Sequence, residues 1–318
     1  MKISLLEPIG IPEEMVRELA SAFEREGHSF TYYDAKTTDV EELKRRSAGQ
    51  DIVMIANNPY PDEVVEAADS LKMIAVAFTG IDHVGLDACR RRGVTVCNCA
   101  GYSNQSVAEL VIGMAIELLR RLRQCDRAAR TGGTGAGLTG EEIAGKTVGI
   151  VGCGQIGFRT GRLFAAFGAR VLAYARHERQ EWREAGLEPA DLDTLLAQSD
   201  IVSLHVPLNN TTRGFMSAER IARMKDGAIL INCARGPVVD SRALAEALHT
   251  GKLSAAAIDV FDTEPPLPAD DPLVTAENTL LTPHIAFATK ESMIRRAKIE
   301  FDNVLAYLHG EPANVCKF

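Results

Sequence analysis

No apolar run in this 318-residue chain is long enough to cross a bilayer. Stretches such as Leu110–Ile116 (LVIGMAI) fall far short of the roughly 20 residues a spanning helix needs, so no membrane association is expected. The N-terminus, MKISLLEPIG, carries one lysine and one short apolar run. It lacks the long apolar core and small-residue cleavage site of an export signal, so a cytoplasmic location is expected. A basic excess is also missing. Against 43 acidic side chains there are 35 lysines and arginines, a formal charge of −8, which argues against nucleic acid as a partner. Seven cysteines (Cys89, Cys97, Cys99, Cys125, Cys153, Cys233 and Cys316) are odd in number and scattered. They suit reduced thiols rather than a disulfide framework. Cys97 and Cys99 have no His or Cys at ligand spacing, so no metal is expected. Internal repeats and low-complexity tracts are absent.

What is present is ordinary globular composition, 46% hydrophobic and 25% charged, at a length that suits two domains. Apolar periodicity predicts strands at Lys2–Leu6, Ser29–Tyr33, Ile52–Ile55, Met73–Ala77 and Val94–Cys97. Helices are predicted between them at Glu13–Glu26, Val40–Arg46, Asp62–Ala68 and Leu86–Arg91. A second series has strands at Lys146–Val151, Arg170–Tyr174, Ile201–Leu204, Ala228–Ile231, Ala255–Ile258 and Thr279–Leu281. The stretch Ser103–Arg130 reads as one connecting helix, ending in the glycine-rich loop Thr131–Gly140. Thr289–His309 reads as a last helix that crosses back to the first lobe. The expected fold class is α/β: two Rossmann-like, doubly wound parallel-sheet lobes with a cleft between them. The expected domains are 1–101 plus 285–318, of flavodoxin type, and 102–284.

The most informative motif is Gly152-Cys153-Gly154-Gln155-Ile156-Gly157, set between the strand Thr147–Val151 and a helix at Phe158–Phe167. In that context it is a dinucleotide fingerprint. Gly152 permits the tight turn, Gly154 lets a pyrophosphate approach bare backbone, and Gly157 allows close helix–strand packing. The phosphates then face the positive end of a helix, beside Gln155 and Ile156. The next strand should end in an acid that accepts hydrogen bonds from the adenosine ribose. Here Ala175 holds that position and Arg176 follows. An arginine can pair with a 2′-phosphate, so NADP is expected to be preferred and NAD to remain possible.

Three further segments carry chemistry: Asn232-Cys233-Ala234-Arg235-Gly236, Asp259-Val260-Phe261-Asp262-Thr263-Glu264-Pro265 and Leu281-Thr282-Pro283-His284. With Gly80-Ile81-Asp82-His83-Val84, the run Gly101–Glu109 and His205-Val206-Pro207, they make the chain resemble the D-isomer-specific 2-hydroxyacid dehydrogenase family over nearly its whole length. The resemblance implies reduction of 2-keto acids to D-2-hydroxy acids, with a catalytic triad of Arg235, Glu264 and His284. Its chemistry is coherent. His284 donates a proton to the forming alkoxide, Glu264 orients its ring, and Arg235 binds the substrate carboxylate and polarises the carbonyl. Keto-acid reduction is accordingly expected to fall as pH rises and the proton donor is lost.

The resemblance further implies substrate binding by backbone amides at Thr79 and Gly80, and by Arg235 and His284. Asp259 would fix the nicotinamide carboxamide. Val107, His205, Val206, Pro207, Thr212, Cys233 and Ala234 would line the cofactor. A homodimer through the cofactor lobe is implied as well, without the extra regulatory domain of many phosphoglycerate dehydrogenases. Two other readings compete. A non-enzymatic, dinucleotide-sensing corepressor-like protein would bind cofactor without turnover, whereas a formate dehydrogenase would pair its histidine with a neutral amide rather than Glu264. Small substrates, glyoxylate or hydroxypyruvate, are favoured by analogy with NADP-using relatives.

Overall fold

A computed structural model describes residues 1–263 and 266–318. Backbone contacts divide the chain into two compact units, Met1–Ser103 with Ala288–Phe318, and Asn104–Phe287.

The first unit alternates strands and helices: β1 (Lys2–Leu5), α1 (Glu13–Arg25), β2 (Ser29–Tyr32), α2 (Val40–Ser47), β3 (Ile52–Ile55), α3 (Asp62–Ala67), β4 (Met73–Val76), α4 (Leu86–Arg92) and β5 (Thr95–Asn98). All pairings are parallel, in the order β2-β1-β3-β4-β5. Strands β3 and β4 are buried at every position, as a parallel sheet covered on both faces requires. Helix α1 buries Val16, Ala20 and Phe23, one stripe of its surface.

The second unit comprises α5 (Asn104–Arg120), α6 (Leu122–Arg130), β6 (Thr147–Val151), α7 (Gln155–Ala166), β7 (Arg170–Tyr174), α8 (Gln180–Glu184), β8 (Leu187–Pro189), α9 (Leu192–Gln198), β9 (Ile201–Leu204), α10 (Ala218–Arg223), β10 (Ala228–Asn232), α11 (Ser241–His249), β11 (Leu253–Ile258), α12 (Pro272–Thr275) and β12 (Thr279–Leu281). Its sheet is parallel, in the order β12-β11-β10-β9-β6-β7-β8. The final helix, α13 (Lys290–Leu308), opens with a Thr289/Ser292 capping box and belongs to the first unit. There Phe301 stacks on Phe23 at 5.3 Å.

Two expectations need correction. Residues 103–130 are not one helix, because the chain breaks at Arg121, whose φ is +52°. The carbonyl of Leu119, which a continuous helix would offer to residue 123, instead accepts from the amide of Glu141. The returning loop thus takes over the end of α5, and α6 leaves with none of its residues buried. The strand β8 was not expected, since Leu187–Pro189 is only three residues long, too short for periodicity to mark it. No helix among the described residues is long and apolar enough to cross a membrane.

Candidate active site

The strand order of the second sheet reverses at β6, between β7 and β9, and ligands of such sheets bind outside the strand ends at that point. Gly152 lies there with φ +94°. A Cβ on it would stand 2.7 Å from the His205 carbonyl, and one on Gly157 would stand 2.4 Å from the Gly152 oxygen. The loop, the end of β9 and the start of α7 therefore pack closer than any side chain allows. Gly154 N-caps α7 without a side-chain cap, and both it and Gln155 are exposed. The first-turn amides of α7, including those of Gln155 and Ile156, face outward at the positive end of the helix. Burial pushes the His205 imidazole down to about 4 and the Cys153 thiol up to about 12. Both groups are then neutral at pH 7, and neither opposes an anion on the helix terminus. These features fit a dinucleotide pyrophosphate.

Around this cradle, the position of a Gly152 Cβ lies 2.8 Å from a methyl of Val206. The Thr212 hydroxyl donates to the Pro207 carbonyl at 2.5 Å and accepts from the Asn209 amide, closing the loop after β9. Val107 is buried on α5 in the unit's core. Arg176, two residues past β7, is exposed and has no acidic partner among the described residues. It lines a cavity of about 500 Å³ together with Tyr174, Ala175, Pro189, Ala190 and Asp191.

Three neighbouring strand ends carry the reactive side chains. The amide of Asp259 donates to the Asn232 carbonyl at 3.0 Å, and the amide of His284 donates to the Asp259 carbonyl at 2.8 Å. Successive backbone bonds thus tie the ends of β10, β11 and β12 together. Asn232, nearly fully buried, braces the Arg235 loop twice. Its side-chain oxygen accepts from the Ala234 amide at 3.0 Å, and its side-chain nitrogen donates to the Arg235 carbonyl at 3.0 Å. Gly236 follows because a Cβ there would overlap the Phe261 backbone at 1.9 Å. Arg235 is half-buried and its Nη1 donates to the Ala234 carbonyl. Beside it the Cys233 thiol contacts the Met114 sulfur at 3.6 Å, and burial pushes that thiol well up, keeping it protonated.

Asp259 is fully buried. Its Oδ1 accepts from the Thr282 hydroxyl at 2.6 Å and the Ile285 amide at 2.8 Å, and its Oδ2 accepts from the Ala286 amide at 2.9 Å. Burial raises its carboxyl, and these donors pull it partly back. The carboxylate clasps the loop on both sides of His284, whose φ is +54°. That left-handed conformation is uncommon outside glycine and persists only where the surroundings impose it. The imidazole meets the Phe287 ring edge-on at 5.3 Å.

The arrangement brings Arg235, Asp259 and His284 onto one sheet edge with the glycine loop. Glu264 lies outside the described residues. Thr79 and Gly80 follow β4 in the first unit, where the Thr79 carbonyl accepts from Asn98 Nδ2 at 2.7 Å. The positioning roles of Asn232 and Thr282 were not legible in advance. The one available signal was a polar residue ending the apolar strand AILIN. No group of His, Cys, Asp or Glu among the described residues could hold a metal.

Comparison with known proteins gives the family. Residues 112–286 match the model of the D-isomer specific 2-hydroxyacid dehydrogenase NAD binding domain. The chain is 40% identical to a glyoxylate reductase of Thermofilum pendens, over 87% of this chain and 84% of that one. It is 35% identical to a hydroxypyruvate reductase of Blautia hydrogenotrophica, over 91% and 92%. Among solved structures, the D-lactate dehydrogenase of Aquifex aeolicus complexed with NAD and lactic acid superposes with a TM-score of 0.85 at 30% identity, covering 98% of this chain and 96% of that one. The chain belongs to the D-isomer specific 2-hydroxyacid dehydrogenase family.

Proposed function

We propose that this protein is an oxidoreductase that reduces small 2-keto acids to D-2-hydroxy acids, and catalyses the reverse reaction. The observation that carries the reading is the bonded succession Asn232–Asp259–His284 at the ends of β10, β11 and β12, with Arg235 following β10 and His284 following β12 on the sheet edge that also carries the glycine cradle. Arg235 binds the substrate carboxylate and polarises the carbonyl at C2 through its planar fork of donors. His284 delivers a proton to the carbonyl oxygen as it becomes an alkoxide. Glu264, assigned from sequence, orients the imidazole through its other nitrogen. The amides of Gly154, Gln155 and Ile156 hold the pyrophosphate. A bound reduced nicotinamide dinucleotide supplies the hydride that C2 receives. Amides at Thr79 and Gly80 are proposed to take part in carboxylate binding.

NADP is the proposed preference: Arg176 follows the end of β7, is exposed and has no acidic ion-pair partner among the described residues, and a guanidinium pairs well with a phosphate. A cytoplasmic location suits seven cysteines that are all unpaired. A homodimer through the second unit is part of the same reading, since α6 buries nothing within the unit and leaves Leu122 exposed.

The test is the initial rate of reduced-cofactor oxidation with glyoxylate, hydroxypyruvate and pyruvate, using NADPH and NADH in parallel. Turnover that drops about 100-fold or more in His284→Ala supports the mechanism. Near-full activity of that variant overturns the role of His284. A tenfold preference for NADH overturns the role of Arg176, and cofactor binding without turnover of any acid favours the sensor reading.

A further inference from the structure

No acid ends β7, where Ala175 stands, but the fold brings one alongside from the neighbouring strand. β7 and β8 pair in parallel with Ala173 opposite Pro189, and the amide of Ala190 donates to the Ala173 carbonyl at 3.0 Å. Arg176, two residues past β7, and Asp191, two residues past β8, therefore follow the C-terminal ends of adjacent strands. Parallel sheets of this kind take their ligands beyond those ends. Both residues line the cavity of about 500 Å³ described above.

The charges around that cavity cancel in pairs, with two exceptions. Arg170, at the start of β7, donates to Glu188 Oε2 through Nε at 3.0 Å and Nη2 at 2.7 Å, and to Gln198 Oε1 through Nη1 at 3.0 Å. Glu178 pairs with Arg183 at 3.5 Å. Arg176 and Asp191 are left, both exposed and without an ion-pair partner among the described residues. Asp191 is nevertheless fixed in place. It caps α9, with Oδ1 accepting from the Thr194 amide at 2.8 Å and Oδ2 from the Thr194 hydroxyl at 2.7 Å. These two donors hold its carboxyl below the usual carboxylate range, so it is ionised at pH 7. Each bond occupies one lone pair, and each oxygen keeps a second acceptor position to offer.

Opposite charges on one cavity select opposite forms of one ligand. A guanidinium pairs with the 2′-phosphate of NADP. A fixed carboxylate repels that phosphate and accepts instead from the ribose hydroxyls of NAD. We infer that Asp191 opposes Arg176 in cofactor choice, supplying the ribose acceptor that Ala175 does not and so letting NAD compete with NADP. This rests on the dinucleotide reading above and on the role proposed there for Arg176. Cofactor preference is then set by the balance of one cation and one anion, each carried past the end of its own strand.

The test is the dissociation constant of NADPH and of NADH, measured by titration calorimetry on the full chain, with kcat/KM for each cofactor at saturating glyoxylate. The variants are Asp191→Asn, Arg176→Ala and Glu178→Gln. Asparagine caps a helix as well as aspartate does, so Asp191→Asn removes the charge and keeps the cap. A ratio between two cofactors cancels the amount of active protein, so partial misfolding cannot imitate the effect. In Asp191→Asn the preference for NADPH should rise about fivefold, through tighter NADPH and weaker NADH binding together. The NADPH gain should vanish at about 1 M salt, where the screening length falls to about 3 Å. A gain that survives such salt would reflect altered shape and overturn the electrostatic role. Arg176→Ala should move the preference the other way by about tenfold or more. A preference within about twofold of wild type in Asp191→Asn, or a larger rise in Glu178→Gln, overturns the role of Asp191 and leaves the reaction class standing. An unchanged preference in Arg176→Ala overturns the NADP reading, and the inference with it. Binding of neither cofactor to the wild type overturns the proposed function itself.

Discussion

Asp259 and Glu300 are both fully buried acids, one in each unit, and their surroundings are opposite. Asp259 takes a hydroxyl and two backbone amides from the segment that carries His284. Glu300, on α13, has no hydrogen-bond partner for either oxygen among the described residues. Burial pushes its carboxyl well up. Arg296 opposes that shift, and Glu7 adds to it. The difference teaches what burial of a carboxyl does under each condition. Where donors converge, the group serves as a rigid clasp, and loop strain such as the positive φ of His284 can be held against it. Where they do not, the neutral acid is favoured and folding becomes coupled to a proton.

The sharpest way to break the comparison is to remove the donor–acceptor match at Asp259. Asp259→Asn puts an N–H group where two amides and a hydroxyl already donate. We expect a loss of about 2–3 kcal/mol in unfolding free energy. The keto-acid reduction rate should fall about 100-fold as the His284 loop loses its clasp. Denaturant unfolding and initial rates measure both, and wild-type activity in a stably folded variant would refute the clasp.

Glu300→Gln sharpens the other side. Because the folded-state value is raised, protonated Glu300 stabilises the folded chain fully below the unfolded-state value of about 4.3. That contribution is lost as pH rises towards the folded value, at no more than about 1.4 kcal/mol per pH unit. The wild-type Tm should therefore decline more steeply than that of Glu300→Gln between about pH 5 and pH 8. Parallel curves for the two proteins would show that Glu300 is not a proton-coupled group.

Thr282→Val makes the smallest change, deleting one of the three donors on Asp259. A loss of about 1 kcal/mol is expected, with a fall of a few-fold in kcat. If it proved as costly as Asp259→Asn, the hydroxyl rather than the backbone amides would hold the loop.

Sequence patterns made much of this molecule readable. The strands Ile52–Ile55, Arg170–Tyr174, Ile201–Leu204 and Thr279–Leu281 follow from short apolar runs between turn signals, with their bounds as expected. The glycine motif was legible because at Gly152 and Gly157 close backbone approach leaves glycine as the only residue that fits. Residues 103–130 were misread because ELLRRLRQCDRAAR keeps helical periodicity through Arg121 without a glycine or proline. The break comes from Glu141, 22 residues further along the chain than Leu119, whose carbonyl it captures. The role of Asp259 was read as a contact to cofactor. Its observed partners lie 23 to 27 residues away and include backbone amides, which leave no trace in residue identity.

By itself the sequence determined the α/β alternation, the dinucleotide fingerprint and the residue types available for proton transfer and carboxylate binding. Each depends on spacing along the chain or on the chemistry of one side chain. Only the tertiary structure decided which buried acids received donors and where the helix after residue 104 broke. Those outcomes depend on groups brought together from distant positions, where one added hydrogen bond outweighs a local preference of a few tenths of a kcal/mol.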